Sequence, residues 1–381
     1  MLTAMIKLLA AVLATIAISA AGAASAQSSW DHVARVVVMG DLHGDYGKLH
    51  DQLGLAGLID ASGNWSGGAA HLVQLGDVPD RAPDTRKILD LLMKLEPQAR
   101  RAGGYVHVLI GNHEAMNMEG DLRYTTPGEF AAFADSASSR RRDDYYKALV
   151  VAMKAQPPAA GLPTFDAAYR AQFDAEHPLG WVEHQAAWSP QGTYGRWVLG
   201  HSAVIRIDDT LYLHGGIGPA FLPFDRDTMN KAVIGALRHR APAAGDPPDI
   251  LWNDQGPLWY RGMAMNEEAA EGPHVAAVLA RQGVRHIVLG HTKRYAMVNA
   301  RFDGSVILTD IAVAPGCADP HAFLIKEGDT LTAVHRGRRL ALAVSGEAHA
   351  GYLAAVAALD QAAGVETRCA GPFTSVDKGA P

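Results

Sequence analysis

At 381 residues, 48% hydrophobic and 19% charged, the chain can bury a sizeable core as one large domain or two ordinary ones. A formal net charge of −6 with no basic block excludes nucleic acid as the main partner. Two cysteines, Cys317 and Cys369, are too few for a disulfide framework or a thiolate zinc cluster.

Residues 1–26 read as a leader peptide. Lys7 supplies a thin positive region, residues 8–18 an apolar stretch, and residues 24–26 (ASA) a small-residue cleavage site before Gln27. The stretch is shorter than the roughly 20 residues a spanning helix prefers. Export to the periplasm or beyond, with no stable membrane insertion after cleavage, is therefore expected over an uncleaved anchor. In an oxidising compartment the two cysteines either pair, tying the tail to the body, or stand as free thiols.

Val36, Val37, Val38 and Met39 form a β-branched apolar run that predicts a buried strand, ended by Gly40. Residues 46–60 carry Leu49, Leu53, Ala56 and Leu58 at helical spacing. Residues 72–75 predict a second strand. Asp84 is the expected N-cap of a helix with Ile88, Leu89, Leu92, Met93 and Leu95 on its apolar face and Pro97 near its end. Residues 106–110 are the third strand. Strands and helices alternating in this way predict βαβ units and a largely parallel sheet.

Residues 115–195 are rich in Ala, Arg, Asp and Tyr and predict a helical insertion covering one side of a site. Its charge run, 140–147, reads as a solvated helix face, and His177 and His184 as surface or packing residues. Strand structure is expected again from Trp197 to His214, with a hairpin turn at Asp208, Asp209 and Thr210. Helices are expected at 229–240 and 274–282, and strands at 287–289, 306–309, 322–325 and 331–334. The division so read is a leader at 1–26, one domain at 27–340 and a partly disordered tail at 341–381.

Five apolar runs end in Asp, Asn or His beside glycine: RVVVMGDLHGD (35–45), HLVQLGDVPDR (71–81), YVHVLIGNHE (105–114), LYLHGG (211–216) and HIVLGHT (286–292). A strand that stops and releases a carboxylate and an imidazole two residues apart offers both to one metal. The carboxyl ends of parallel strands meet at one sheet edge, so such residues can converge. Two-metal hydrolysis needs ligands around two cations about 3.5–4 Å apart, with a carboxylate shared between them. On this reading Asp41 and His43 bind one ion, Asp77 bridges, and Asn112, His214 and His291 complete the second. Three imidazoles, two carboxylates and an amide oxygen suit two divalent or trivalent ions of Mn, Fe or Zn better than Mg alone.

Taken in order, GDLHGD, GDVPDR, GNHE, HGG and GHT resemble the metallophosphoesterases of the calcineurin-like superfamily, in particular its phosphoprotein phosphatase branch. The GPLWYRG stretch (256–262) and the exported context add a similarity to the bacterial Shewanella-like phosphatases. The resemblance spans residues 35–315. It implies an α/β fold: a β-sandwich of mixed sheets flanked by helices, with a helical insertion. It implies Asp41, His43 and Asp77 on one metal and Asp77, Asn112, His214 and His291 on the other, with a bridging water as nucleophile. His113 matches the general acid that protonates the leaving oxygen, and Asp80 the carboxylate that orients it. Arg81 and Arg261 match the pair that grips the phosphoryl oxygens, a role that suits the planar, permanently charged guanidinium.

The activity implied is metal-dependent hydrolysis of phosphomonoesters, on proteins (phosphotyrosine included) or on small phosphoesters. Relatives with the same metal centre hydrolyse nucleotides or dinucleoside polyphosphates, which is the alternative substrate class. A non-catalytic metal- or phosphate-binding protein would have lost the acid or a ligand, and neither is missing.

Each assignment has a structural rival. Arg81 could pair with Asp45 or Asp84. Trp259 and Tyr260, beside Arg261, line a cleft or fill a core. His201, in LGHS, imitates the GHT signature but precedes the hairpin, so it reads as structural; His71 and His107 read as packing residues. The family pattern GDxxDR commonly continues with glycine, whereas Ala82 stands here, which would be strained if that position needed positive φ.

Overall fold

Two six-stranded sheets face each other in a computed structural model that describes residues 27–158, 161–242, 245–311 and 319–365. The expected leader, Cys317 and Cys369 lie outside the described residues. The chain opens with β1 (Ser29–Trp30) and β2 (Val36–Met39), then alternates α1 (Tyr46–Leu55), β3 (His71–Gln74), α2 (Thr85–Arg101) and β4 (Tyr105–Val108). A helical stretch follows: α3 (Asn112–Glu119), α4 (Pro127–Phe133), α5 (Ser138–Ala155), α6 (Ala167–Glu176), α7 (Trp181–Trp188) and α8 (Thr193–Val198). The second half holds β5 (Val204–Ile207), β6 (Thr210–Leu213), α9 (Arg226–Leu237), α10 (Gly262–Met265), α11 (Glu268–Gln282), β7 (His286–Leu289), β8 (Asn299–Arg301) and β9 (Val306–Leu308). It closes with β10 (Phe323–Glu327), β11 (Thr330–His335), β12 (Arg338–Ala341) and α12 (Gly346–Ala362).

One sheet runs β12-β11-β10-β2-β3-β4 and the other β1-β5-β6-β7-β9-β8. The expectation of a largely parallel sheet holds for β2, β3 and β4 in the first and for β6, β7 and β9, with the β1-β5 pair, in the second. Hairpins at β10-β11, β11-β12, β5-β6 and β8-β9, and the long-range β10-β2 pair, are antiparallel, so both sheets are mixed.

Strand periodicity divides the core in two. Val36 and Val38 turn inward and pack with Val73, Leu75, Ile205, Tyr212, Val288 and Ile307 between the sheets. Their neighbours Val37 and Met39 turn outward onto Leu49, Leu53, Ile88 and Leu92 of the covering helices. Each such side chain contributes about 1.5–3 kcal/mol relative to exposure. A strand buried on both faces reads as a continuous apolar run, which is why β2 stands out in the sequence.

Several element ends depart from expectation. The Asp45 carboxylate caps α1 by accepting from the Lys48 N–H at 2.9 Å, and the helix stops at Leu55, before the positive-φ Gly57, rather than at 60. Helix α2 runs through Pro97 to Arg101 with Asp84 as its N-cap residue, as expected, but the Asp84 carboxylate pairs with Lys87 at 2.7 Å rather than accepting from the helix N–H groups. Trp197 belongs to α8, not to a strand. Its Val198 and Leu199 neighbours enter the core from a helix that Gly200 ends. Of the tail expected to be partly disordered, the described residues, 341–365, are packed. Tyr352 and Val356 of α12 are buried in the inter-sheet core, and the Tyr352 hydroxyl donates to the Val298 carbonyl at 2.6 Å. Among the described residues, no helix is long and apolar enough to cross a membrane.

The parallel strands end level with one another. Met39, Gln74 and Val108 are in register on one sheet, and Leu213, Leu289 and Leu308 on the other. The residues after these strands therefore meet at one common edge of the sandwich.

Candidate metal centre

Six strand ends deliver the site: Asp41 and His43 after β2, Asp77 after β3, Asn112 and His113 after β4, His214 after β6, His291 after β7 and Asp310 after β9. The backbone turns abruptly here. His43, Asp77, Asp80, Arg81 and His291 all have positive φ, between 47° and 76°. Conformations of this kind cost of order 1–3 kcal/mol each and persist only where the surroundings over-determine them. Ala82 is not among them, so its replacement of the family glycine strains nothing. Gly76 is required as glycine: its φ is +95°, and a Cβ would come within 2.6 Å of the Gly111 nitrogen.

All six expected ligands are buried and close together. His43 Nε2 lies 3.6 Å from Asp41 Oδ2 and 3.8 Å from Asp77 Oδ2. His214 Nε2 lies 2.9 Å from Asn112 Oδ1 and 3.2 Å from Asp77 Oδ1, and the His214 and His291 rings are 4.7 Å apart. Two groups of donor atoms result, His43–Asp77–His113 and Asp77–His214–His291, with Asp77 common to both. Asp41 stands beside them, its Oδ1 accepting the His291 N–H at 3.0 Å.

The donor set fits a pair of cations. At His43 and His113 the carboxylate-to-imidazole separations of 3.6–3.8 Å are too long for hydrogen bonds, so these buried lone pairs converge without satisfying one another. The far ring nitrogens are held from outside: His43 Nδ1 by the Pro79 carbonyl (3.2 Å), His214 Nδ1 by that of Leu75 (2.9 Å) and His291 Nε2 by that of Trp259 (3.1 Å). This is how a protein orients ligand imidazoles. Burial together with the adjacent Asp77 carboxylate raises the Asp41 pKa. Burial alone would lower His214, yet Asp77 and Asp41 lift it to about 9. Cations would displace that proton and offset the paired carboxylates.

His113 sits at the lip of this cluster. Its Nδ1 donates to Asp80 Oδ2 at 2.5 Å, leaving Nε2 facing the site 3.7 Å from Asp77 Oδ2. Burial opposes protonation, but Asp77 and the bond to Asp80 hold the imidazole above its ordinary pKa. Asp80 is itself fixed by Asn117 Nδ2 (3.1 Å) and Thr125 Oγ1 (2.8 Å), with its N–H on Glu129. Arg261 lines the cavity and donates to the His291 carbonyl at 2.8 Å. Arg81 lies at the rim, 5.7 Å over the Tyr124 ring, with no carboxylate partner among the described residues. Asp45 and Asp84 are engaged elsewhere, so the ion-pair rival for Arg81 is absent there. His201 is remote, bound to Glu96 at 2.7 Å, and Tyr260 is buried with its hydroxyl on Glu271.

Sequence reading missed three contributors. Lys293, two residues past His291, lines the same cavity. Asp310 is buried next to Asp41, with neither carboxylate oxygen bonded among the described residues. Glu114 accepts N–H groups from Asp77 (2.9 Å), Val78 (2.7 Å) and Gly111 (2.8 Å), tying the β3 and β4 loops together. Burial and Asp77 push it up to about 7. The last residue of GNHE, at the third position of a helix, was the available signal. Glu114→Ala is expected to strand three buried donors at about 1–3 kcal/mol each before relaxation and lower the melting temperature by several degrees, read by calorimetry.

Two facing mixed sheets whose strand ends gather Asp, His and Asn beside a carboxylate-held imidazole define a metal-dependent phosphoester hydrolase. The chain belongs to the calcineurin-like phosphoesterases, whose family model matches residues 34–295, and that family uses divalent metal ions. It is 31% identical over 300 residues to Shewanella-like protein phosphatase 2 of Arabidopsis thaliana, covering 77% of this chain and 75% of that one. The solved cold-active protein-tyrosine phosphatase of a psychrophilic Shewanella sp. is 26% identical, over 83% of this chain and 82% of that one, at a TM-score of 0.60. A further structure of a cold-active protein tyrosine phosphatase gives 27% identity, 82% and 80% coverage and a TM-score of 0.62.

Proposed function

We propose that this chain is an exported, binuclear-metal phosphatase acting on phosphomonoesters, with phosphotyrosyl protein as its substrate class. The observation that carries the metal part is Asp77, shared by two groups of buried donors. Asp41, His43 and Asp77 would hold one ion, and Asp77, Asn112, His214 and His291 the other. When bound, such ions supply Lewis acidity to the phosphoryl oxygens and to an attacking water.

The chain's own residues do the rest. Arg261 and Arg81 bind the phosphoryl oxygens with planar, permanently charged forks, and Lys293 adds a third positive charge at the same wall. His113 keeps a proton at Nε2 because Nδ1 is committed to Asp80, and it delivers that proton to the leaving oxygen.

Two observations support an aromatic leaving group. The Shewanella structure carries the name of a protein-tyrosine phosphatase. A cavity of 270 Å³ is walled by Tyr124, Trp252 and Trp259, and the Tyr124 ring lies 5.1 Å from that of His113. Turnover on phosphotyrosine peptide, phosphoserine peptide and diadenosine tetraphosphate is the test. The phosphotyrosine peptide is expected to be favoured by roughly tenfold or more in kcat/KM, a preference worth about 1.4 kcal/mol. Preference for the dinucleotide would assign the nucleotide-hydrolase alternative instead. Export is proposed from the leader alone; cell fractionation with N-terminal sequencing should find the protein outside the cytoplasm, beginning at Gln27.

A further inference from the structure

Away from the metal centre, the space between the sheets has a second polar stretch, where edge strands β4 and β1 face each other. Val106 and Val108 pack toward the helices, while His107, between them, turns to the opposite sheet and meets Trp30 at 4.3 Å between rings. His107 Nε2 lies 3.0 Å from His71 Nδ1, and the Tyr105 ring stacks on His107 at 4.3 Å. Burial holds both imidazoles low, His71 at about 4, so the pair is neutral and brings no charge. Apolar side chains would fill this edge at less cost, since buried imidazoles must find partners.

A cavity of 360 Å³ opens beside the pair, walled by Trp30, Tyr105, Trp197, His107, Arg100 and Arg196. No residue of this wall belongs to the metal centre. Arg100 sits 4.9 Å over the Tyr105 ring and donates to its hydroxyl at 3.1 Å. Arg196 donates to the Gln191 carbonyl. Neither guanidinium has a carboxylate partner among the described residues. The acid on the wall, Glu96, is already occupied: Trp197 Nε1 donates to it at 3.0 Å and His201 Nε2 lies at 2.7 Å. The cavity thus offers the rings of Trp30 and Trp197 and two guanidiniums without a carboxylate partner, against one carboxylate that is held by Trp197 and His201. That combination suits a flat π-system carrying negative charge, stacked on the rings and held at its anionic end by the guanidiniums.

We propose that this cavity is a second ligand site, separate from the metal centre, for a small planar aromatic anion. The test is calorimetric titration of the purified, metal-loaded protein with naphthalene sulfonate, in excess inorganic phosphate to occupy the metal centre. Saturable one-site binding is expected, weakened roughly tenfold or more in the Arg100→Gln/Arg196→Gln variant and in Trp197→Leu, and for neutral naphthalene methanol. Both arginines are exposed, so the double variant should fold and keep its turnover of p-nitrophenyl phosphate. Absence of saturable binding, undiminished binding in the arginine variant, or displacement of the sulfonate by phosphate would each overturn the proposal.

Discussion

Asp77→Asn is expected to strip the protein of both cations and lower turnover by roughly 10³-fold or more, the loss of several kcal/mol of Lewis-acid stabilisation. Asp77 alone belongs to both donor groups, with Oδ2 toward His43 and His113 and Oδ1 toward His214. The carboxamide keeps the shape and removes the charge and one oxygen donor. It also weakens the acceptor for the His113 N–H, now 2.9 Å from Oδ1, so the loop after β4 loses an anchor. Elemental analysis after dialysis is the direct readout. Two metals per chain in the variant would contradict a bridging role, whereas Asp41→Asn, which removes a ligand from one ion alone, should retain more metal than Asp77→Asn.

His113→Asn should do the opposite: both metals stay, and turnover falls by roughly 10²–10⁴-fold. The imidazole is not needed to hold the other ligands, whose own anchors are the carbonyls of Pro79, Leu75 and Trp259. Its contribution is a proton, so the loss should shrink for p-nitrophenyl phosphate, whose leaving group needs none, and grow for phosphoserine peptide. An equal loss on both substrates would remove His113 from proton transfer. Asp80→Asn is the companion variant. It leaves the imidazole in place but weakens the charge that keeps it protonated, so its rate should lie between those of the wild type and His113→Asn.

How much of this was legible beforehand differs between strand and loop. Val36 through Met39 announced a doubly buried strand because both faces of β2 need apolar side chains, and Asp41 and His43 announced chemistry because polar residues follow it directly. Strands β1, β8 and β12 were invisible. They are two to four residues long and lie at sheet edges, so their pairing depends on a neighbour rather than on their own pattern. The tail after residue 341 read as partly disordered because its alanines have no strong amphipathic stripe. Tyr352 and Val356 are nonetheless buried against a surface that exists only once the sheets are folded.

The amino-acid sequence by itself determined the inventory of candidate ligands, since Asp, His and Asn after glycine at successive strand ends admit few other uses. Only the tertiary structure decided which of them share one donor group, that Glu114 ties the β3 and β4 loops together, and that Lys293 and Asp310 border the site. The reason is physical. Donor type and strand ending are local properties written in adjacent residues. Convergence within a few ångströms depends on the register of two sheets whose partners lie more than a hundred residues apart.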